Sequence, residues 1–176
     1  MAVMAEHVIL VDEADRELGT MEKLEAHRCG LLHRAFSIFI FSPDGKCLIQ
    51  RRSADKYHSG GLWSNACCSH PRPGEVMDTA IHRRLVEELG VTCDLRKVLE
   101  MHYDLDVGGG LREVEYNHTY LGMLDTGLAL NPDLEECSTC LWKPAGEVES
   151  DLTAQPDIYS AWFALLFPNV LAHLPR

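Results

Sequence analysis

The residue types with most chemistry are concentrated in one segment, GLWSNACCSHP, followed by a charged helical stretch. Leu62 to His70 is predicted to form a single strand, in which successive side chains point to opposite faces. Cys68 would then share a face with His70, whereas Cys67 would lie on the other face with Trp63. This register singles out Cys68 as the candidate reactive thiol.

The stretch after the turn at Pro71 to Gly74 predicts a helix. Asp78 is a suitable N-cap residue, and Gly90 is a typical C-terminal stop. An apolar residue recurs at every fourth position: Ile81, Leu85 and Leu89. Arg84 and Glu88 are also four apart, so an ordinary surface helix with ion pairs is one interpretation of this stretch.

A more specific interpretation is that Glu75 and the run from Arg83 to Val91 resemble the Nudix box. The chain departs from the box at Ser69, where the box has a glycine, and at Arg84, where it has a glutamate. A guanidinium at that position repels a metal ion and attracts a phosphate. The resemblance implies an α/β (α+β) fold, a Nudix-type mixed β-sheet sandwiched between helices, with an N-terminal β-hairpin extension and an altered metal cluster.

Length and composition favour one domain over residues 1–176. The chain is 46% hydrophobic and 24% charged, which is ordinary for a globular protein. Its formal net charge of −11 argues against nucleic acid as a partner. An anionic substrate would therefore need a local cluster of lysine and arginine.

The cysteine count and the N-terminal sequence predict a cytoplasmic protein. Seven cysteines is an odd number, and the first residues lack the pattern of a signal peptide, so free thiols are expected. No apolar run approaches the roughly 20 residues that span a bilayer, so no membrane contact is expected. The sequence leaves the oligomeric state open, and a monomer is one of the states it allows.

The rest of the chain predicts further strands and one more helix. The predicted strands are Glu6 to Val11, Thr20 to Leu24, Leu32 to Ser42, Lys46 to Arg52, a strand within Thr92 to Asp104, Arg112 to Leu124, and Leu141 to Lys143; the predicted helix is Asp157 to Phe167.

Five residues far apart in the chain predict a metal site. His27 and His33 are six residues apart, which does not place both on one helix face, and either alone is an ordinary surface histidine. Glu113 and Glu115 share a strand face, where they are either exposed or held together by a cation. With His70 they would offer three nitrogens and two carboxylates, a set that suits manganese or zinc.

Taken together, these features resemble the type I isopentenyl-diphosphate delta-isomerases. The matching segments, in order, are EHVILVDEADRELGTMEK, His27 and His33, AFS, RRSADK, GGLWSNACCSHP, the altered box, EVE and YSAW. They cover nearly the whole chain. Two local departures are Ser59-Gly60, where many members have Trp-Pro, and a loop between His27 and His33 that is one residue shorter than in some members.

The resemblance implies that the small-molecule substrate is isopentenyl diphosphate and the product dimethylallyl diphosphate. It implies catalytic roles for Cys68, Glu115, Tyr103 and Trp162. Glu115 would supply a proton, Cys68 as thiolate would remove one, and the face of Trp162 would stabilise the carbocation. Which of Cys68 and Glu115 acts first as the acid is left open.

The resemblance also implies two metal sites and an anion-binding set. The His27, His33, His70, Glu113 and Glu115 site would hold Mn²⁺, with Zn²⁺ or Mg²⁺ as alternatives. Glu88 and the backbone carbonyl of Cys68 would hold a Mg²⁺ ion that bridges the substrate diphosphate. The residues expected to bind substrate are Lys23, Arg52, Lys56, Ser69 and Arg84.

Two other functions remain as alternatives. A Nudix hydrolase acting on a nucleoside diphosphate derivative is favoured by Glu75, Arg83, Glu87 and Glu88, but Arg84, Ser69 and the set of histidines, cysteine and glutamates argue against it. A structural or regulatory metal module is disfavoured, because structural zinc sites use closely spaced ligand pairs.

Overall fold

In the computed structural model, which describes residues 6–174, a mixed sheet is flanked by helices. The strands are β1 (His7–Val11), β2 (Glu17–Glu22), β3 (His33–Phe41), β4 (Lys46–Arg52), β5 (Trp63–Ser64), β6 (Cys67–Ser69), β7 (Leu95–Gly108), β8 (Leu111–Met123) and β9 (Cys137–Pro144). The helices are α1 (Lys23–Cys29), α2 (Met77–Leu89), α3 (Ala145–Ala154) and α4 (Ala161–Leu171), with a 3₁₀ turn at Pro156–Ile158.

Strand β3 is the centre of the sheet. It pairs in parallel with β8 along its whole length, from His33 opposite Glu115 to Phe41 opposite Met123. Its other edge is shared in turn by β1, β6 and β4, all antiparallel. The predicted N-terminal hairpin is formed by β1 and β2, and Leu10 joins it to β3.

The alternation of β3 side chains divides the core between the two faces of the sheet. Phe39 and Phe41 pack with α4, in a cluster that includes Trp162 and Phe163. The even-numbered residues of β3 instead pack against α2, which contributes a buried stripe: Ala80, Ile81, Leu85 and Leu89. The predicted sandwich of a mixed sheet between helices is confirmed.

The predicted strand from Leu62 to His70 is wrong, because it is broken into β5 and β6. The Asn65 side chain donates hydrogen bonds to the backbone carbonyls of Ile38 and Cys67, at 3.0 and 2.7 Å, and so replaces part of the strand ladder. The break changes the register. Trp63 packs on the α4 side, whereas Cys67 packs on the α2 side.

Helix boundaries also differ from those predicted. Helix α2 starts at Met77 with Val76 as its N-cap residue, so Asp78 lies in the first turn, where its charge favours the helix dipole. Gly90 ends the helix with φ 69°, as expected for a left-handed C-cap. Asp157 belongs to the 3₁₀ turn, and α4 begins at Ala161.

The structure also bears on the membrane prediction. Within residues 6–174 no helix has both the length and the apolar character needed to cross a bilayer.

Candidate active site

Four structural elements bring the five predicted metal ligands together. His27 comes from α1, His33 from the first position of β3, and His70 from the segment after β6. Glu113 and Glu115 project from β8 on the same side of the sheet. Ligand atoms of His27, His33, His70 and Glu115 lie within 4.8 Å of one another, and Glu113 Oε1 is 3.9 Å from His27 Nε2.

The imidazoles are oriented as a metal ion requires. His27 Nδ1 lies 2.6 Å from the Lys23 carbonyl oxygen, and His33 Nδ1 lies 2.8 Å from the Leu31 carbonyl oxygen. Each Nδ1 therefore carries the proton and donates it, which leaves the Nε2 lone pair free. Both Nε2 atoms are buried and make no hydrogen bond. The observation fits a divalent cation, because an unpaired buried nitrogen is otherwise costly.

Electrostatics support the same interpretation. Burial lowers the pKa of His33 to about 4, so the imidazole is neutral. Burial and the charge of Glu115 raise the pKa of Glu113 well above its usual value. Burial opposes ionisation of Glu115, but its hydrogen bond with His70 and the charges that His70 and His33 carry when protonated at low pH outweigh burial and lower its pKa to about 2.

Glu115 also lies in a hydrogen-bonded network on the pocket side. Tyr103, opposite it on β7, donates from its hydroxyl to Oε2 at 2.5 Å. Asn117 donates to the same oxygen at 3.2 Å and to Ser37 Oγ at 3.0 Å. Oε1 lies 3.3 Å from His70 Nε2, so the two oxygens of this carboxylate face different partners.

Cys68 lies on the opposite side of Ser37 from this network, in contact with α4. Trp162 Nε1 donates to its sulfur at 3.0 Å, and the thiol donates to Asn65 Oδ1 at 2.9 Å. The sulfur is 3.7 Å from Ser37 Oγ. Cys68, Glu115 and Trp162 all line one pocket.

The predicted anion-binding residues line the same pocket: Lys23, Arg52, Lys56, Ser69 and Arg84. Three of these cations are already paired with carboxylates: Lys23 with Glu6, Lys56 with Glu136, and Arg84 with Glu87, Glu88 and Glu136. A diphosphate would therefore have to compete with these carboxylates or displace them.

Arg84 is the cation that replaces the box glutamate. Its Nη2 donates to Glu88 Oε1 at 2.6 Å and lies 3.3 Å from Glu136 Oε1. Gln50 donates to the other oxygen of Glu88 at 3.3 Å. The guanidinium of Arg52 stands 5.1 Å from the centre of the Trp162 ring.

Comparison with known proteins decides the family. The model of the NUDIX domain matches residues 31–163. Isopentenyl-diphosphate Delta-isomerase 2 of Aromatoleum aromaticum is 46% identical over 169 residues, which cover 96% of this chain and 88% of that protein. The isopentenyl-diphosphate Delta-isomerase of Pectobacterium atrosepticum is 45% identical, with 93% and 90% covered. The chain belongs to the isopentenyl-diphosphate Delta-isomerases of the NUDIX superfamily.

Solved structures support the fold of this isomerase family member. A crystal structure of DR0079 from Deinococcus radiodurans superposes with a TM-score of 0.77 at 18% identity and covers 93% of this chain and 98% of that one. The NUDIX domain of NrtR from Shewanella oneidensis, complexed with ADP ribose, gives 0.62 at 16% identity, with 87% and 94% covered. At such identities the likeness shows the fold alone.

Several residues of the isomerase pocket are not evident from the sequence. Asn65 and Asn117 organise the thiol and the carboxylate, but a lone asparagine carries no distinctive spacing. Glu136 precedes β9 and reaches Lys56 and Arg84, which are distant in sequence. His58 is buried next to Glu113, although the sequence around it, RRSADKYHSGG, has the polar composition of an exposed loop.

The protonation state of Cys68 also differs from the expectation of a thiolate. Burial raises the pKa of the Cys68 thiol to about 12, more than the hydrogen bond from Ser37 and the charge of Arg52 lower it. The thiol is therefore protonated at neutral pH in the isomerase pocket as it stands.

Proposed function

We propose that this chain converts isopentenyl diphosphate into dimethylallyl diphosphate by a proton addition and a proton removal. The observation that carries the proposal is that one pocket combines a thiol, a carboxylate, an indole and a rim of cations: Cys68, Glu115 and Trp162, with Lys23, Arg52, Lys56 and Arg84. The relatives at 45 and 46% identity are named for this isomerisation. A small diphosphate is thus the proposed partner.

The reaction needs two groups that exchange protons with carbon. An alkene is a very weak base, so its protonation requires a positioned acid and the exclusion of water. Glu115 and Cys68 are the two groups proposed for these transfers; Glu115 is buried and Cys68 is partly buried. Tyr103 donates a hydrogen bond to Glu115 Oε2 and so fixes the position of the oxygen that would exchange a proton with the substrate.

Trp162 supports the charge that develops between the two transfers. Its ring is almost fully buried and its N–H is held by Cys68 and Asn65 at 3.0 and 3.3 Å, so the ring orientation is fixed. A desolvated cation over an indole face is stabilised by about 2 kcal/mol or more. The ring has no lone pair that would trap the cation.

The metal ligands proposed are His27, His33, His70, Glu113 and Glu115, with Mn²⁺ as the expected ion and Zn²⁺ or Mg²⁺ as alternatives. When bound, such an ion would withdraw electron density from Glu115 and make a proton on its other oxygen more acidic. The chain itself fixes the carboxylate between His70 and Tyr103, so that Oε1 faces the imidazole of His70 and Oε2 accepts from the Tyr103 hydroxyl.

The second ion, expected at Glu88 and the Cys68 carbonyl, has no preformed set of donors. Both oxygens of Glu88 are hydrogen-bonded, one to Arg84 and one to Gln50. A magnesium ion that arrives with the diphosphate stays an expectation, and no step is derived from it.

Hydrolysis is the less favoured function. Glu75 of the box does not line the pocket, since Arg83 donates to both of its oxygens at 2.6 and 2.8 Å. Glu87 is engaged by Arg83 and Arg84 at 3.0 and 2.9 Å.

Incubation with isopentenyl diphosphate and Mn²⁺ in deuterated water tests the proposal. Isomerisation would place deuterium in dimethylallyl diphosphate, detected by mass spectrometry. Cys68→Ala and Glu115→Gln should each lower the rate roughly 100- to 10,000-fold, the range for loss of a general acid or base. Release of inorganic phosphate with no deuterated allylic product would overturn the proposal in favour of hydrolysis.

A further inference from the structure

His58 is a buried histidine at the metal site that the five-ligand set does not include. It lies in the loop between β4 and β5 and is 6% exposed. Its ring stacks beside that of His27, with centroids 5.8 Å apart, and meets Trp162 edge-on at 5.7 Å. It therefore lies between the metal ligands and the indole of the pocket.

The donor atom of His58 converges on two of the ligands. Its Nε2 forms, with His27 and Glu113, a second group whose ligand atoms all lie within 4.8 Å of one another. Nε2 is 2.9 Å from Glu113 Oε1, but it is buried and makes no hydrogen bond of acceptable geometry. The two atoms are therefore close together, although no N–H bond of His58 points at the Glu113 oxygen.

The surroundings of the other ring nitrogen, Nδ1, are compatible with the tautomer that a metal-bound histidine adopts. His58 Nδ1 lies 3.2 Å from the Ser59 hydroxyl. With the proton on Nδ1, the ring donates to Ser59 and the Nε2 lone pair faces Glu113, as in metal-bound histidines that donate their second N–H. Two donors on adjacent corners of an octahedron of radius near 2.1 Å are about 3 Å apart, which matches the Nε2 to Oε1 separation.

The backbone of the loop holds the ring in this direction. Ser59 adopts φ 53°, in the left-handed region that is costly for a residue with a side chain. Gly60 packs so closely that a Cβ there would lie 2.5 Å from the Ala54 carbonyl oxygen. Arg52, the last residue of β4 and a proposed diphosphate ligand, donates to the His58 carbonyl at 3.2 Å and so ties this loop to the end of the strand.

We propose that His58 supplies a fourth imidazole to the metal site, bound through Nε2 next to Glu113. The inference rests on the metal site of the proposed function. It implies that the ion ties the β4–β5 loop to α1 and β8, so that the metal and the diphosphate-binding loop are ordered together.

Titration of the metal-stripped full chain with Mn²⁺, with free Mn²⁺ followed by electron paramagnetic resonance, tests the proposal. His58→Ala should weaken Mn²⁺ binding by at least about 10-fold. His58→Phe should weaken it to the same extent, because the ring is kept but offers no nitrogen to the ion. The ligand-field spectrum of the Co²⁺-loaded chain should change in both variants.

The matched control is His82→Ala. His82 lies on α2, bonded to Thr92 at 2.8 Å, and outside both ligand groups, so its loss should leave affinity and spectrum unchanged. Wild-type affinity in His58→Phe would overturn ligation and assign only a packing role to the ring. Wild-type affinity in His58→Ala would overturn the proposal but not the five-ligand site, whereas failure of the unmutated chain to bind Mn²⁺ would overturn both.

Discussion

At the scale of single residues, two adjacent cysteines have opposite surroundings. Cys67 is fully buried among apolar residues on the α2 side, whereas Cys68 faces the pocket and bonds to Trp162 and Asn65. We expect Cys67→Ala to keep most of the isomerase activity while lowering the free energy of unfolding by about 1 to 2 kcal/mol, because it leaves a small cavity. Cys68→Ala should remove most of the activity while changing the free energy of unfolding little.

The pair of variants is measured by product formation and by urea unfolding of the same preparations. An inactive Cys67→Ala that unfolds like the wild type would contradict the placement of the reactive thiol.

Residue chemistry was the most predictable part of the site. The five metal ligands and Cys68 could be proposed because histidine, cysteine and paired glutamates stand out by type and spacing. Glu113 and Glu115 are both buried, which excludes the alternative that the two carboxylates are simply exposed to solvent. Asn65 shows the limit: its side chain replaces backbone pairing and breaks the strand, and this hydrogen bonding depends on the distant Ile38 carbonyl.

At the scale of elements, the turn before α2 is fastened to the helix by one ion pair. Arg83 donates to both oxygens of Glu75, which also accepts from the Arg72 backbone N–H. The hydrogen bonds from Arg83 lower the pKa of Glu75 below its usual value of 4.5. A lowered folded-state pKa contributes stability that is present above pH 4.5 and is lost as the pH falls through the folded-state pKa.

Glu75→Gln should therefore reduce the free energy of unfolding at pH 7 by about 1 to 2 kcal/mol. The difference from the wild type should shrink below pH 4.5. Urea midpoints at pH 7, 5 and 3.5 measure it. Glu13→Gln, in the exposed turn between β1 and β2, is the control that should change little at any of these pH values. A constant deficit at all three pH values would argue that the ion pair is not its origin.

Strand β9 carries another consequence of local geometry. A bulge occurs where Arg51 and Arg52 of β4 pair with Thr139 and Cys137, so that Ser138 is left over. The bulge places the sulfurs of Cys137 and Cys140 on one side, 3.1 Å apart, although residues three apart in a regular strand face opposite ways. Both are free thiols in this structure.

We expect a low-molecular-weight disulfide, such as oxidised glutathione, to convert this pair into an internal disulfide. One thiolate would displace a reduced glutathione to give a mixed disulfide, and the second would displace the other, with the loss of two protons from the chain. Intact mass would fall by about 2 Da, and Cys137→Ser or Cys140→Ser would each abolish that product. Persistence of both free thiols under these conditions would count against the geometry of the bulge.

Most strands and the helices α2 and α4 followed from periodicity, whereas α1 and α3 were not predicted, and Leu24, predicted as the end of a strand, lies in α1. The apolar stripe of α2 and the strongly apolar sequences of β3 and β4 predict where these elements lie along the chain. The sequence does not reveal that β8 lies parallel to β3, because that pairing depends on contacts 82 residues apart, such as His33 opposite Glu115. Yet this pairing is what carries Glu115 to the histidines.

At the scale of the whole molecule, one face of the sheet serves both stability and chemistry. On the α4 side, Phe39 and Phe41 pack in the core at one end of β3, whereas His33 and Ser37, on the same face by alternation, reach the site at the other end. Because the metal ligands come from α1, β3, β8 and the segment after β6, an ion would join elements that the core alone holds only in part.

Metal binding should consequently raise the thermal stability of the whole chain. At 100 times its dissociation constant, a ligand of the folded state alone adds about 2.7 kcal/mol. For a chain of this size that is a rise in Tm of about 5 to 10 °C. We expect this rise when Mn²⁺ is added to the chelator-treated protein, and its loss in His33→Gln, because the unpaired Nε2 of His33 is one of the donors.

The shift between the chelated and the Mn²⁺-loaded forms is compared within each variant, so that any effect of the substitution on the fold itself cancels. His118→Gln is the matched control. His118 is also a buried histidine beside two carboxylates, Asp15 at 2.9 Å and Glu100 at 3.2 Å, but it belongs to neither group of metal ligands. The His118→Gln variant should keep the full rise in Tm on addition of Mn²⁺. A full shift in His33→Gln, or none in the unmutated chain, would show that the converging imidazoles do not hold the ion.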